Sequence, residues 1–153
     1  MRSENSIRYQ SVTGVCLKDG KVLLVRLIYG KRKGQLILPG GYLEQGETPQ
    51  MALKREFLEE TGVEVEPGNL IGVRFNMQDW YVAFLAEYVS GEARSDHDEN
   101  SEVVWMDVEE ALESSDVPEL TEKLIRSAIS ANEGLKHTEF ESAYHPPYSL
   151  YCC

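Results

Sequence analysis

Apolar and polar residues alternate along much of the chain in a way that predicts strands. Residues 7–18 (IRYQSVTGVCLK) are rich in β-formers, Asp19-Gly20 is a two-residue hairpin signal, and 21–29 (KVLLVRLIY) read as the returning strand. A glycine-flanked basic loop follows, Gly30-Lys31-Arg32-Lys33-Gly34. Then comes a short buried strand from Gln35 to Leu38, stopped by Pro39-Gly40-Gly41. At Thr48-Pro49 the pattern changes to that of a helix start, a capping hydroxyl with proline at the first helical position. The spacing predicts a helix over 49–61, which Gly62 ends. Further strands are expected over 69–77 and 80–89, joined near Gln78-Asp79. An acidic loop over 91–101, a short strand over 102–106 and helices over 108–113 and 118–131 complete the pattern. Strands and helices mix without strict alternation, which predicts an α+β fold with helices packed on a mixed β-sheet.

Beyond Asn132 the helical signal fades, and His145-Pro146-Pro147 breaks any regular element. The run EFESAYHPPYSLY carries four aromatics. It either docks, on its own domain or on a second subunit, or forms a frayed tail. The 153 residues, 42% of them hydrophobic, fit one domain over 1–153, with a core over about 7–131 and a tail over 132–153. No internal repeat or low-complexity tract interrupts it.

No apolar stretch is long enough to span a bilayer, since VLLVRLIYG is short and is broken by Arg26. The N-terminal MRSENSIRYQ lacks the apolar run of a secretory signal, so a cytoplasmic protein without a membrane partner is expected. The formal net charge of -11 argues against binding polymeric nucleic acid, whose phosphates it would repel. It leaves room for a small phosphate substrate, because clustered carboxylates hold divalent cations and the cations hold phosphates. Of the three cysteines, Cys16 sits in an apolar run and reads as a core residue. Adjacent Cys152 and Cys153 read as a reduced tail or, less simply, as a metal-binding or oxidisable pair.

The helix that starts after Thr48 carries the chemistry. At about 100° per residue, Glu56, Glu59 and Glu60 share an arc of roughly 100°. Three like charges on one face repel, and Arg55 offsets part of the repulsion. A bound divalent cation would relieve the rest, whereas the alternative is a solvated acidic face. The Pro39-Gly40-Gly41 turn lets backbone approach a ligand, and Glu47 lies just before the helix.

These residues together resemble the Nudix hydrolase family. Its signature is Gly, five residues, Glu, seven residues, then Arg-Glu-apolar-any-Glu-Glu-any-Gly-apolar. The chain supplies Gly41, Glu47 and Arg55-Glu56-Phe57-Leu58-Glu59-Glu60-Thr61-Gly62-Val63. Phe57 stands where the family usually has an aliphatic residue, and Leu36 where it often has Trp. The resemblance implies an α/β/α sandwich and hydrolysis of a pyrophosphate bond in a nucleoside diphosphate derivative. A nucleoside triphosphate, a nucleotide sugar, ADP-ribose and a dinucleoside polyphosphate are the candidate substrates. It implies Mg2+, with Mn2+ as a substitute, held by Glu56, Glu59, Glu60 and the Gly40 carbonyl.

The same resemblance implies that Arg55 orients the glutamates, that Glu47 supports the loop-helix geometry, and that Gly41 and Gly62 are structural. The catalytic base is either a box glutamate, Glu59 or Glu56, or an acid of the later loop, where Glu102 is the choice for a further ligand or base, with Glu99 second. Arg26, Arg74 and the Lys31-Arg32-Lys33 loop are candidate phosphate contacts. Tyr81, or its neighbour Trp80, is the candidate for base stacking. Many relatives are dimers, so a homodimer is expected. A non-catalytic nucleotide-sensing domain is the alternative, disfavoured because sensors of this fold typically lose box acids that this chain keeps. A structural protein with an acidic helix would leave the fixed Gly and Arg positions unexplained.

Overall fold

The computed structural model describes residues 9–130, 133–139 and 149–153. The predicted first strand is two strands. β1 (Tyr9–Val15) belongs to one sheet and β2 (Leu17–Lys18) to another, and the chain crosses between them at the fully buried Cys16. Asp19 and Gly20 both take positive φ, 52° and 73°, the turn that suits a two-residue hairpin into β3 (Lys21–Leu27). β4 (Leu36–Ile37) and β5 (Gly40–Tyr42) flank Pro39.

Helix α1 (Pro49–Thr61) has the predicted bounds. Thr48 Oγ1 accepts from the Met51 amide at 3.3 Å, and Gly62, in the left-handed region at φ 73°, closes the helix by donating to the Leu58 carbonyl. β6 (Glu64–Phe75) and β7 (Asp79–Ser90) form a long hairpin. β6 starts five residues before the expected strand. It is the edge strand of its sheet, and its pairing with β7 shifts register between Pro67 and Leu70, which accommodates a proline inside it. β8 (Asn100–Asp107), α2 (Val108–Glu113) and α3 (Glu119–Ile129) follow.

The first sheet has the order β5-β1-β7-β6, with β1 and β7 parallel and the other pairs antiparallel. In the second, β3 is flanked by β2, β4 and β8. Helix α1 covers one side. Its Ala52, Leu53 and Phe57 are fully buried with Val12, Phe84 and Ala86, so the aromatic Phe57 fills a core position. A Cβ on Gly14 would lie 2.9 Å from the Ala86 Cβ and 3.0 Å from Leu53 Cδ1, so the close helix-sheet contact depends on a glycine there. Helices α2 and α3 close the other side over Val15, Val22, Leu24 and Ala83. The architecture is therefore an α/β/α sandwich around mixed sheets.

The described end of the tail docks on the domain. β9 (Lys136–Thr138) pairs with β10 (Leu150–Cys152), Tyr151 sets its ring 5.4 Å from that of Phe84, and its hydroxyl accepts from Gln50 Nε2 at 2.9 Å. The other three aromatics of that run lie outside the described residues. Among the described residues no helix is long and apolar enough to cross a membrane.

Burial pushes the Cys16 thiol up to about 12, while Cys152 is half-buried and Cys153 exposed. Thiol titration of the native, reduced protein is expected to modify two of the three cysteines quickly and Cys16 only after unfolding. Rapid modification of all three would contradict this packing.

Candidate metal and active site

Arg55 organises the loop-helix junction. Its Nε and Nη2 donate to the two carboxylate oxygens of Glu47 at 2.6 and 3.0 Å, a bidentate pair, and Nη2 also donates to the Tyr42 carbonyl at 3.1 Å. Its Nη1 donates to Glu56 at 2.9 Å and to Glu59 at 3.3 Å. One guanidinium thus holds the loop before α1, the end of β5 and two helix carboxylates. Hydrogen bonding to Arg55 holds the Glu47 carboxyl below its usual range, and the same contacts raise Arg55 further.

Glycines let the turn lie close to Glu56 and to β1. A Cβ on Gly41 would lie 2.5 Å from Glu56 Oε1, and one on Gly40 would lie 2.1 Å from the Val12 carbonyl oxygen. The Gly40 amide donates to Glu60 Oε2 at 3.1 Å. Glu60 is 8% exposed, so this bond is made inside the protein.

The acidic loop supplies the third member. Carboxylate oxygens of Glu56, Glu60 and Glu99 lie within 4.8 Å of one another. Asp96 Oδ1 fixes that loop by accepting from the amides of Asp98, Glu99 and Asn100 at 2.9, 3.0 and 3.2 Å. Asn100, 1% exposed, then ties the loop to α1, its Nδ2 donating to the Glu60 carbonyl at 3.1 Å. The carboxamide therefore links the residue after Glu99 to the residue that carries the second carboxylate.

This crowding has an electrostatic consequence. Burial first, and then the nearby Glu56 and Glu99, push Glu60 up to about 9 against the opposing Gly40 hydrogen bond. Burial also raises Glu56, and Arg55 offsets part of that. The three carboxylates lie in a cavity of about 560 Å³, which the apolar Leu27, Ile37 and Leu43 also line. A larger cavity of about 860 Å³ beside α2 contains none of them. Three hard oxygen donors that repel one another fit a divalent cation such as magnesium, whose charge would offset the burial and repulsion that favour a protonated Glu60.

The expected site residues are distributed as follows. Glu56 and Glu60 are in the group, but Glu59 is not: its side chain is 61% exposed and reaches Arg55. Glu99, the second choice, joins the group. Glu102 instead pairs across β3 and β8 with Arg26 at 3.0 Å. Arg26 also donates to Asp116 and to the Gly34 carbonyl, so the guanidinium expected to meet a phosphate is occupied by protein acceptors.

Arg74 is paired with Asp79 and lies over the Tyr81 ring at 5.0 Å, and neither Arg74 nor Tyr81 lines the cavity of the carboxylates. Trp80 sits edge-on to Phe75, also away from that cavity. Gly62 caps α1, and a Cβ there would lie 2.7 Å from Arg94 Nε. Sequence reasoning missed Asn100 and Tyr29. A buried carboxamide next to an acid of the loop was the available signal for the first. No local signal marked the second.

Comparison with known proteins gives a consistent answer. A NUDIX domain model matches residues 8–127. An NAD-capped RNA hydrolase, NudC, of Vibrio atlanticus is 32% identical over 118 residues, covering 72% of this chain and 42% of that protein. An ADP-ribose pyrophosphatase of Methanocaldococcus jannaschii is 34% identical over 95 residues, covering 58% and 56%. The chain thus spans about half the length of these curated relatives. A solved NUDIX hydrolase structure from Nitrosomonas europaea superposes with a TM-score of 0.70 at 27% identity, over 80% of this chain and 88% of that one.

Two outcomes follow from the geometry. Glu60 binds its proton more tightly in the folded state than at the ordinary value of 4.5. The stability this contributes to the metal-free protein is full below about 4.5 and is lost as pH rises through about 9. A saturating divalent cation removes that loss, so the cation-dependent rise in urea midpoint is expected to grow across this interval. A rise that is flat with pH would contradict the assignment. Replacing Asn100 by Ala is expected to weaken Mn2+ binding by roughly tenfold or more, as loss of an outer-shell support does. The circular dichroism spectrum should stay native, and an unchanged Mn2+ affinity would show that Asn100 does not position the group.

Proposed function

We propose, from the premise that this chain belongs to the NUDIX family, that it is a divalent-metal-dependent hydrolase cutting the pyrophosphate bond of a nucleoside diphosphate derivative. The observation that carries this reading is the meeting of Glu56, Glu60 and Glu99 oxygens within 4.8 Å beside the Gly40-Gly41 turn. The two curated relatives point to the same bond, since NAD and ADP-ribose both carry a nucleoside joined through a diphosphate. The net charge of -11 favours a small nucleotide over an RNA chain as the substrate.

Glu56, Glu60 and Glu99 would hold Mg2+, or Mn2+ in its place, and the Gly40 carbonyl would be a further contact. When bound, the cation supplies positive charge that offsets the negative charge developing on the diphosphate. Arg55 and Glu47 keep the glycine turn and the helix in fixed relation. Glu59 stays outside the close group, is held by Arg55 and does not line the cavity, so its assignment as acceptor of the attacking water's proton rests on its place in the family signature. The water oxygen bonds to one phosphorus, and the bond from that phosphorus to the bridging oxygen breaks. The Arg26-Glu102 pair joins β3 to β8 and stands behind the site as support.

A phosphate- and nucleotide-release panel with Mg2+ tests this. Glu59→Gln is expected to lower kcat by about 10²-fold or more, the usual scale for a proton acceptor, with Mn2+ affinity nearly unchanged. Glu60→Gln is expected to lose both. Near-normal turnover by Glu59→Gln would remove Glu59 from the chemistry. Intact metal binding without turnover on any nucleotide would replace the enzyme by a sensor.

A further inference from the structure

We infer that Tyr29 is the stacking wall for the planar base of the substrate, in the same cavity as the carboxylates that hold its diphosphate, an inference that rests on the function proposed above. Tyr29 follows the end of β3 and lines the same cavity as Glu56, Glu60 and Glu99. The backbone sets its place. Leu27 pairs with Asn100, and the Ile28 amide donates to the Glu99 carbonyl at 3.4 Å, so the next side chain stands beside the carboxylate group.

Burial, and then the charges of Glu99, Glu60, Asp96 and Asp98, hold the Tyr29 phenol above its usual range, so the ring is within electrostatic reach of the same acids. It is nevertheless 57% exposed. Among the described residues its ring has no aromatic or cationic partner and its hydroxyl no hydrogen bond. The other exposed aromatics are used differently. Tyr9 pairs with Tyr42 at 5.5 Å, and Phe75 pairs with Trp80 at 5.3 Å.

The cavity is amphipathic, with acids at one side and Leu27, Ile37 and Leu43 among its apolar walls. Its ligand should match, with a diphosphate joined to a flat apolar group. A nucleobase meets that description. An exposed, unpaired ring offers it a π-face without disturbing existing packing. Lys31, Arg32 and Lys33 follow directly, exposed, in a chain whose other charges are mostly acidic.

The test is calorimetric binding of the adenine, guanine, cytosine and uracil nucleoside diphosphates in Mn2+, with methylenediphosphonate as a ligand that lacks a base. Tyr29→Ala is expected to weaken the preferred nucleotide by roughly five- to a hundredfold, to leave methylenediphosphonate within about twofold, and to be rescued by Tyr29→Phe. Unchanged nucleotide affinity would overturn the inference, and so would equal weakening of both ligands, which marks a merely structural side chain. If the wild type binds methylenediphosphonate but none of the nucleotides, the base subsite fails while the metal reading stands. If it binds neither, the proposed function itself fails and this inference with it.

Discussion

Three carboxylates brought within 4.8 Å of one another inside a cavity are an electrostatic load that the surrounding fold has to carry. The protein carries part of it with fixed partial and full charges. Arg55 donates to Glu56, and the Gly40 amide donates to Glu60. Burial, and after it the neighbouring carboxylates, leaves Glu60 and Glu56 raised. A site poised against its own repulsion would gain most from a small cation of double charge.

Each neighbouring element makes sense as a means of keeping that load in place. The α1 face bearing Ala52, Leu53 and Phe57 is buried on the first sheet, which anchors the helix from below. The Arg55-Glu47 pair then fixes the turn before it, glycine at 41 leaves no Cβ between the turn and Glu56, and glycine at 40 lets the turn lie against the Val12 carbonyl. From the other sheet, the Asp96 loop and the buried Asn100 bring Glu99 in from a distant part of the chain. Both sheets therefore contribute to one site, and the connection from β7 to β8 carries Glu99 from one to the other. The Arg26-Glu102 bond ties strands close to this loop.

Much of this was legible in the residues themselves. The helix over 49–61 showed both its cap and its stop, because Thr48-Pro49 and Gly62 act through local backbone chemistry. The Asp19-Gly20 hairpin was legible for the same reason. The break at Cys16 was not, since an apolar run reads alike whether it continues in one sheet or passes to a second. The expected strand began at 69, whereas β6 begins at Glu64 and carries Pro67, as pairing at a sheet edge allows. At the site, spacing on one helix identified Glu56 and Glu60 but could not separate them from Glu59, which turns toward Arg55. The choice between Glu99 and Glu102 depended on strand register: the pairing of β3 with β8 puts Glu102 opposite Arg26. No pattern within the acidic loop reveals that register.

The central claim is that Glu56, Glu60 and Glu99 together hold a divalent cation. Anomalous diffraction from crystals of the protein soaked in manganese measures it most directly. The account predicts an anomalous peak enclosed by those three side chains, next to the Gly40-Gly41 turn. A peak elsewhere, or those carboxylates splayed apart with no peak between them in an ordered site, would contradict it.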